Sequence, residues 1–570
     1  MRPFLTLQHP AQAQRYYAQG HWRQDTFYGL LARHAAARPA AIALVDGRRR
    51  LSWAELLSWV DGVGADLRAR GLKGGDRVCL LLSNRVEAVV AFLACAREGL
   101  ACNPSLHRSH TWSEVFSLVQ RLSARALIAE PGWGAAPSHL EAGTASLACN
   151  PSLHRSHTWS EVIGLVQRLS ARALIAEPGW GAAPSNLEAA TASIASLRVV
   201  YDLARFPKAG DNGGAASCDP DRVVYLAFTS GTTGTPKCVM HSHNTLLANA
   251  RDLVADWGHG PETVLLSLSP LSHHIAWVGV AQWLVAGCQF VCNDPPRAGS
   301  ALDWIVETGA TYVMGVPTHA MDVLAEQTRR RLPRLGRVAI FYMAGAPIPP
   351  SVAAAFVAQA ITPQNVYGMT ENSSHQYTHP GDATQTIVAT CGRGGDGYQV
   401  ALFDPTDRDR PAAPGQMGEI GGRGPALMLG YFDNQHATET SFNSDGWFMS
   451  GDLGSMDAHG NLTVEGRLKD LIIRGGHNIY PAHIEALALR HGQVGRVACF
   501  AVADARLGER ACIAISGSAP AHDLLEHLGK EGLSTYDMPE YFVRIAEFPL
   551  TASGKILKRE LVEMVKRGEL

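Results

Sequence analysis

The chain has 570 residues, 46% hydrophobic and 18% charged, with a formal net charge of −2. That length exceeds one small core and calls for two or three domains, and the composition excludes a disordered chain. The near-zero charge leaves no electrostatic footprint for nucleic acid or an anionic membrane surface, so an anionic ligand must be held by a local site. The start, MRPFLTLQHPAQAQRYYAQG, lacks the charged-then-apolar pattern of a signal peptide. The longest apolar segment, Ile275 to Gly287, is too short to span a bilayer, so a cytoplasmic protein without membrane insertion is expected. The 11 cysteines are scattered without a CxxC pair, which suits a reducing compartment, and Cys288 and Cys292 read as strand or core positions rather than metal ligands.

Residues 1 to about 100 alternate helical stretches (TFYGLLARHAAARP, LSWAELLSWVDGVGADLRARGL) with short apolar runs (AIALVDG, DRVCLLLS), which predicts a mostly parallel sheet covered by helices. Ala101 to Leu147 is then repeated at once as Ala148 to Ile194, with changes such as Phe116 against Ile163 and His139 against Asn186. Two copies with a period of about 47 residues are too few for a solenoid, so the repeat reads as a tandem duplication. Each copy carries a Thr-capped helix start (HTWSEV), a helix through LVQRLSA and a strand, ALIAEP. A parallel sheet does not readily accept an extra strand in mid-order, so one copy should fill the sheet position and the other should pack on the surface or be poorly ordered. From Asp221 to about Gly466 further strand and helix units follow. The last hundred residues change character, with a helix PAHIEALALR, a strand-like VACFAVAD and a basic tail, KILKRELVEMVKRGEL. The predicted fold class is α/β: a large N-terminal domain of several subdomains over residues 1–466, a hinge at 467–469, and a small mobile α+β C-terminal domain over 470–570.

Thr229 to Lys237 reads TSGTTGTPK. It follows an apolar run, Arg222 to Phe228 (RVVYLAF), and precedes VMHSHNTLLANARDLV, where Ser242 is placed to cap a helix. A phosphate loop is expected at that junction. Gly231 and Gly234 let backbone N–H groups close on an anion, the hydroxyls of Thr229, Ser230, Thr232 and Thr233 can donate to phosphate oxygens, and Lys237 supplies a positive charge. Pro236 before the lysine, and the absence of Ser or Thr after it, exclude a Walker A loop.

Together with NVYGMTE (Asn365 to Glu371), SGDLG (Ser450 to Gly454), GRLKDLIIRGG (Gly466 to Gly476) and PLTASGKILK (Pro549 to Lys558), this loop resembles the adenylate-forming superfamily in motif order and spacing. The wording around MGVPTHA, GMTENSSHQYT and RGGHNIYPAHIE is most similar to cyclohexanecarboxylate–CoA ligases and related bacterial acyl-CoA synthetases. The resemblance implies ATP, a magnesium ion and coenzyme A as cofactors, a small carboxylic acid as partner, and an acyl-adenylate intermediate; it leaves a homodimer open. By that resemblance the Thr229 to Lys237 loop holds the β- and γ-phosphates, Glu371 ligates the magnesium ion and Thr370 donates to phosphate. Tyr367 stacks on adenine opposite Gly345, Ala346 and Pro347, while Asp452, assisted by Arg467, takes the ribose hydroxyls. Lys555 serves the first half-reaction, Lys469 marks the hinge, and Gly475 and Gly476 line the pantetheine tunnel. Cys238 stands where the family usually has glycine, and His483 where it places an acid.

The acyl pocket is expected from Pro270 to Val278, Tyr342, Met343, Met369 and Asn372. Amino-acid-activating members of the superfamily it resembles place an aspartate in the first segment to hold the substrate ammonium; this segment has none, which disfavours an α-amino acid, and Trp277, Met343 and Met369 suggest an apolar pocket for a cyclic or short-to-medium aliphatic acid. His273 either orients the carboxylate or is a packed core histidine. The leading expectation is a ligase forming AMP and pyrophosphate. An acyl-AMP ligase loading a carrier protein and a catalytically impaired ATP-binding homologue are the alternatives.

Overall fold

The computed structural model describes residues 6–7, 9–105, 118, 121–122, 126–129, 199–202, 206–211, 213–229, 237–294, 299–549 and 556–570. The chain divides into two compact units. The first comprises Met1–Ala310, Thr370–Ser373 and Pro425–Thr438, and the second Thr311–Met369, Ser374–Gly424 and Glu439–Leu570.

In the first unit the alternation of helix and apolar run gives two sets of paired strands. The larger has six strands in the order Val199–Asp202, Ala126–Ala129, Arg77–Leu81, Ala101–Asn103, Val223–Thr229 and Lys237–Ser242. Its pairings are parallel up to Val223–Thr229, and the last pair is antiparallel. The other set runs Val264–Ser267, Gln289–Cys292, Ile42–Val45 and Arg50–Ser52. Cys288 and Cys292 are both buried at this strand, as expected of core positions. Helix Trp53–Ala69 starts at a capping box in which Ser52 and Glu55 satisfy each other's backbone N–H groups. Helix Val86–Arg97 is apolar on almost every side and buried at all positions, as a helix packed on all faces must be. Phe92 on that helix meets Phe27 edge-on at 5.2 Å and Trp277 at 4.4 Å, while Trp53 stacks on Trp283 at 5.3 Å. Such ring pairs add about 0.5–1.5 kcal/mol each beyond the area they bury.

The first copy of the duplicated segment supplies Ala101–Asn103 and Ala126–Ala129, both inside the six-stranded sheet. The second copy lies outside the described residues.

The second unit holds a parallel set, Tyr312–Gly315, Ile340–Ala344 and Thr362–Met369, with Ser373–Tyr377 beyond it. It also holds a five-stranded antiparallel sheet ordered Asp407–Pro411, Gln399–Asp404, Gly418–Arg423, Phe448–Met456 and Leu462–Arg467. The C-terminal segment is α+β. The hairpin of Val494–Asp504 and Gly508–Gly517 packs helices Pro481–Ala488 and Ala521–Lys530 on one apolar core and helix Lys558–Lys566 on another. The basic tail is therefore a docked amphipathic helix with Leu561 fully buried, and Lys558 pairs with Glu485 at 2.7 Å. His483 is exposed on its helix. No described helix is long and apolar enough to cross a membrane.

Candidate functional site

Thr229 closes the strand Val223–Thr229 and pairs across to Lys237, the first residue of Lys237–Ser242. The expected strand before the loop and the expected Ser242 helix cap after it are both present, and the strand Lys237–Ser242 lies between the loop and the cap. The apolar run Cys238, Val239, Met240 is buried and extends the sheet before Ser242 caps helix His243–Asp256 by accepting from the Thr245 N–H. Ser230, Gly231, Thr232, Thr233 and Gly234 lie outside the described residues.

Cys238 is 1% exposed, and burial pushes its thiol well above the ordinary range. Its carbonyl accepts from Phe432 N–H at 2.7 Å. The cysteine therefore fills a strand position in the core and not the loop.

Three charged or polar groups meet beside this hairpin in the first unit. The Lys237 ammonium lies 4.6 Å from the centre of the Tyr431 ring, and the Tyr431 hydroxyl donates to Glu371 Oε1 at 2.9 Å. Glu371 is 8% exposed, and its carbonyl accepts from Met428 N–H at 2.7 Å. The neighbouring Thr370 carbonyl accepts from His241 Nε2 at 2.7 Å. Burial lowers the His241 ring to about 4, so the neutral imidazole must carry its proton on Nε2, because a carbonyl can only accept. His273 precedes helix His274–Ala286 as its cap residue. Trp277 is 1% exposed and donates to Leu271 O at 2.5 Å, so its indole belongs to the core and does not report pocket size.

A second grouping forms in the other unit. Tyr367, on Thr362–Met369, donates its hydroxyl to Asp452 Oδ2 at 2.9 Å, and Arg467 Nε lies 3.2 Å from Oδ1 of the same carboxylate. Asp452 and Arg467 face each other in register on adjacent strands, so the pairing follows from the sheet. The Tyr367 ring is 8% exposed and meets His375 edge-on at 5.4 Å, and burial with Asp452 nearby holds the phenol well above its ordinary range. Gly345, Ala346 and Pro347 form an exposed loop after Ile340–Ala344, with Gly345 at φ 90°. Tyr342 is fully buried and shares a 2.6 Å hydrogen bond with Ser374 Oγ, and Met343 is fully buried as well.

Lys469 sits in the short 3-10 turn Leu468–Asp470. Gly475 and Gly476 are the two turn residues between Ile472–Arg474 and His477–Ile479, with φ of 58° and 88°. Positive φ at both centres is the signature of a tight type I′ hairpin, so the backbone itself requires glycines here. A Cβ on Gly476 would meet nothing within 4 Å. Lys555 lies outside the described residues; on its flanks, Leu557 N–H donates to Pro549 O at 2.8 Å. Among the described residues no group of three or more His, Cys, Asp or Glu is arranged to hold a metal.

Of the residues singled out in the sequence, Lys237 and Glu371 meet through Tyr431 in one unit, and Tyr367, Asp452 and Arg467 meet in the other. Tyr431 and His241 were missed. Both act through partners more than 50 positions away in the chain, and nothing local distinguishes them.

A family model described as AMP-binding enzyme matches residues 31–432, and a model described as AMP-binding enzyme C-terminal domain matches residues 483–555. The chain belongs to the AMP-binding enzyme family. It is 30% identical over 565 residues to the salicylyl-CoA synthase / salicylate adenylyltransferase of a Streptomyces species, covering 97% of this chain and 96% of that protein. It is 33% identical over 344 residues to the medium-chain fatty-acid–CoA ligase of Escherichia coli, covering 59% of this chain and 60% of that protein. Among solved structures, ATP-bound MatB from Rhodopseudomonas palustris matches with a TM-score of 0.76 at 25% identity, over 95% of this chain and 99% of that one.

Proposed function

We propose that this protein is an ATP-dependent carboxylate–CoA ligase that forms an acyl-adenylate and pyrophosphate, then a thioester and AMP. The observation that carries the reading is the Asp452 grouping. A buried carboxylate, oriented by the Tyr367 hydroxyl and flanked by Arg467, is suited to accept hydrogen bonds from the vicinal hydroxyls of a ribose. Glu371 offers one hard oxygen donor, which suits a magnesium ion, since that ion is held by one or two carboxylates while phosphates complete its shell. When bound, the ion would neutralise charge on the phosphate oxygens as pyrophosphate departs. Lys237 and the hydroxyls of the 229–234 loop hold the β- and γ-phosphates. Thr370 donates to phosphate, and Lys555 brings a cation to the α-phosphate from the small domain of residues 470–570, which turns about 467–469 between half-reactions.

The acid is apolar, cyclic or of short-to-medium chain, since no carboxylate stands in Pro270–Val278 to hold an ammonium. Loading of a carrier protein is the second reading, and it is favoured by the full-length relative whose name includes both a CoA synthase and an adenylyltransferase.

The test is ATP–pyrophosphate exchange with a panel of acids: cyclohexanecarboxylate, benzoate, salicylate, hexanoate, octanoate and phenylalanine. Exchange with at least one apolar acid is expected, and Asp452→Asn should lower kcat/KM for ATP about 10- to 100-fold, as loss of a hydrogen bond to a charged group does. Exchange that is unaffected by Asp452→Asn would contradict the nucleotide assignment.

A further inference from the structure

We propose that the stacked imidazoles of His241 and His274 are positioning residues for adenylation, holding the turn Thr370–Ser373 at both ends so that Thr370 and Glu371 face the phosphates correctly. The inference rests on the function proposed above. The turn is four residues long, and a different partner holds it at each of four points. His241 Nε2 donates to the Thr370 carbonyl at 2.7 Å, and His274 Nε2 lies 3.0 Å from Ser373 Oγ at the other end. Between them Glu371 is held by Met428 at its carbonyl and by Tyr431 at its carboxylate.

The two rings are nearly parallel, with centroids 5.6 Å apart and planes inclined by 18°. Each ring is fixed from behind, His241 Nδ1 at 3.0 Å from Thr245 Oγ1 and His274 Nδ1 at 3.3 Å from Tyr225 OH. Ser373 has φ 55°, a left-handed conformation that a serine adopts only when its surroundings impose it.

The chemistry explains the choice of residue. The Thr370 carbonyl is the leading oxygen of the peptide that carries Glu371, so its direction sets the plane from which both side chains project. A neutral imidazole is a rigid donor with a fixed reach, and the stack on His274 removes its remaining freedom to turn. A displacement of about 1 Å at such a turn is enough to cost on the order of 100-fold in rate. Burial lowers both rings, so the pair does not repel itself at neutral pH.

The test compares His241→Phe, which keeps a flat ring and loses the donor, with His241→Gln, whose amide nitrogen takes the place of Nε2. Each variant and the wild type are assayed in two separate half-reactions, ATP–pyrophosphate exchange and thioester formation from supplied acyl-adenylate. Amide hydrogen exchange over residues 370–373 is measured without ATP or metal. His241→Phe should lose exchange activity 10- to 100-fold and open the 370–373 amides, with thioester formation within about threefold of wild type, and His241→Gln should recover most of both losses. Equal losses in both half-reactions, or equal behaviour of the Phe and Gln variants, would overturn the assignment. A wild-type chain that exchanges no pyrophosphate with any acid would instead overturn the function on which it rests.

Discussion

His241 and His243 stand two positions apart where Lys237–Ser242 runs into helix His243–Asp256, and they are 0% and 1% exposed. Burial lowers His241 to about 4 and His243 to about 3, and it lowers His274 as well. His243 Nδ1 accepts from the Phe27 N–H at 3.2 Å, a bond that protonation at Nδ1 would remove. In the unfolded chain these rings titrate near 6.5, so their folded values are depressed. The stability they contribute is complete above about pH 6.5 and is lost as pH falls toward 4, at about 1.4 kcal/mol per pH unit for each ring. Urea unfolding at pH 7.5 and at pH 5.0 should therefore give a markedly lower midpoint at pH 5.0, and His243→Gln should flatten the dependence. Equal midpoints would mean that the rings reach solvent. At this scale Asp452, Arg467, Lys237 and Glu371 were legible, because they stand in motifs with recognisable spacing. Tyr431 and His241 were not legible, since a side chain whose partner lies more than 50 positions away leaves no local pattern.

The hairpin of Val223–Thr229 and Lys237–Ser242 gives Cys238 a meaning different from the one its place in the motif suggested. Read along the chain, a cysteine after Pro-Lys burdens a flexible loop. In the sheet it pairs with Phe228 and is buried. Cys238→Gly would remove a packed side chain and loosen a strand interior, and it should cost about 1–3 kcal/mol in urea unfolding without raising the exchange rate. A faster, equally stable glycine variant would show that the loop, and not the strand, is what the cysteine constrains. The Gly475–Gly476 turn carries a related lesson. The glycines stood out in the sequence for the space they leave to a thiol arm, whereas both take positive φ in a two-residue turn. Elements were legible where apolar periodicity ran for a whole helix, as in Trp53–Ala69. The Ser242 cap was legible too, and helix His243–Asp256 starts there, whereas the strand Lys237–Ser242 before it is too short to show a period.

Across the whole chain, the alternation of helices and apolar runs foretold parallel sheets under helical cover, and the change of texture in the last hundred residues foretold a separate α+β sheet. The duplication was legible as a sequence event, and the first copy's strand Ala126–Ala129 is paired on both sides within the six-stranded sheet. The division into two compact units was not legible, because Thr370–Ser373 and Pro425–Thr438 join residues hundreds of positions earlier in the chain, and no local pattern announces such a return. The most direct measurement is AMP release from ATP, magnesium and the acid that supports exchange, with and without coenzyme A. Release that requires coenzyme A and yields one acyl-CoA per AMP is the expected result. Acid-dependent exchange with no release on adding coenzyme A would contradict a CoA ligase and leave a carrier protein as the acceptor.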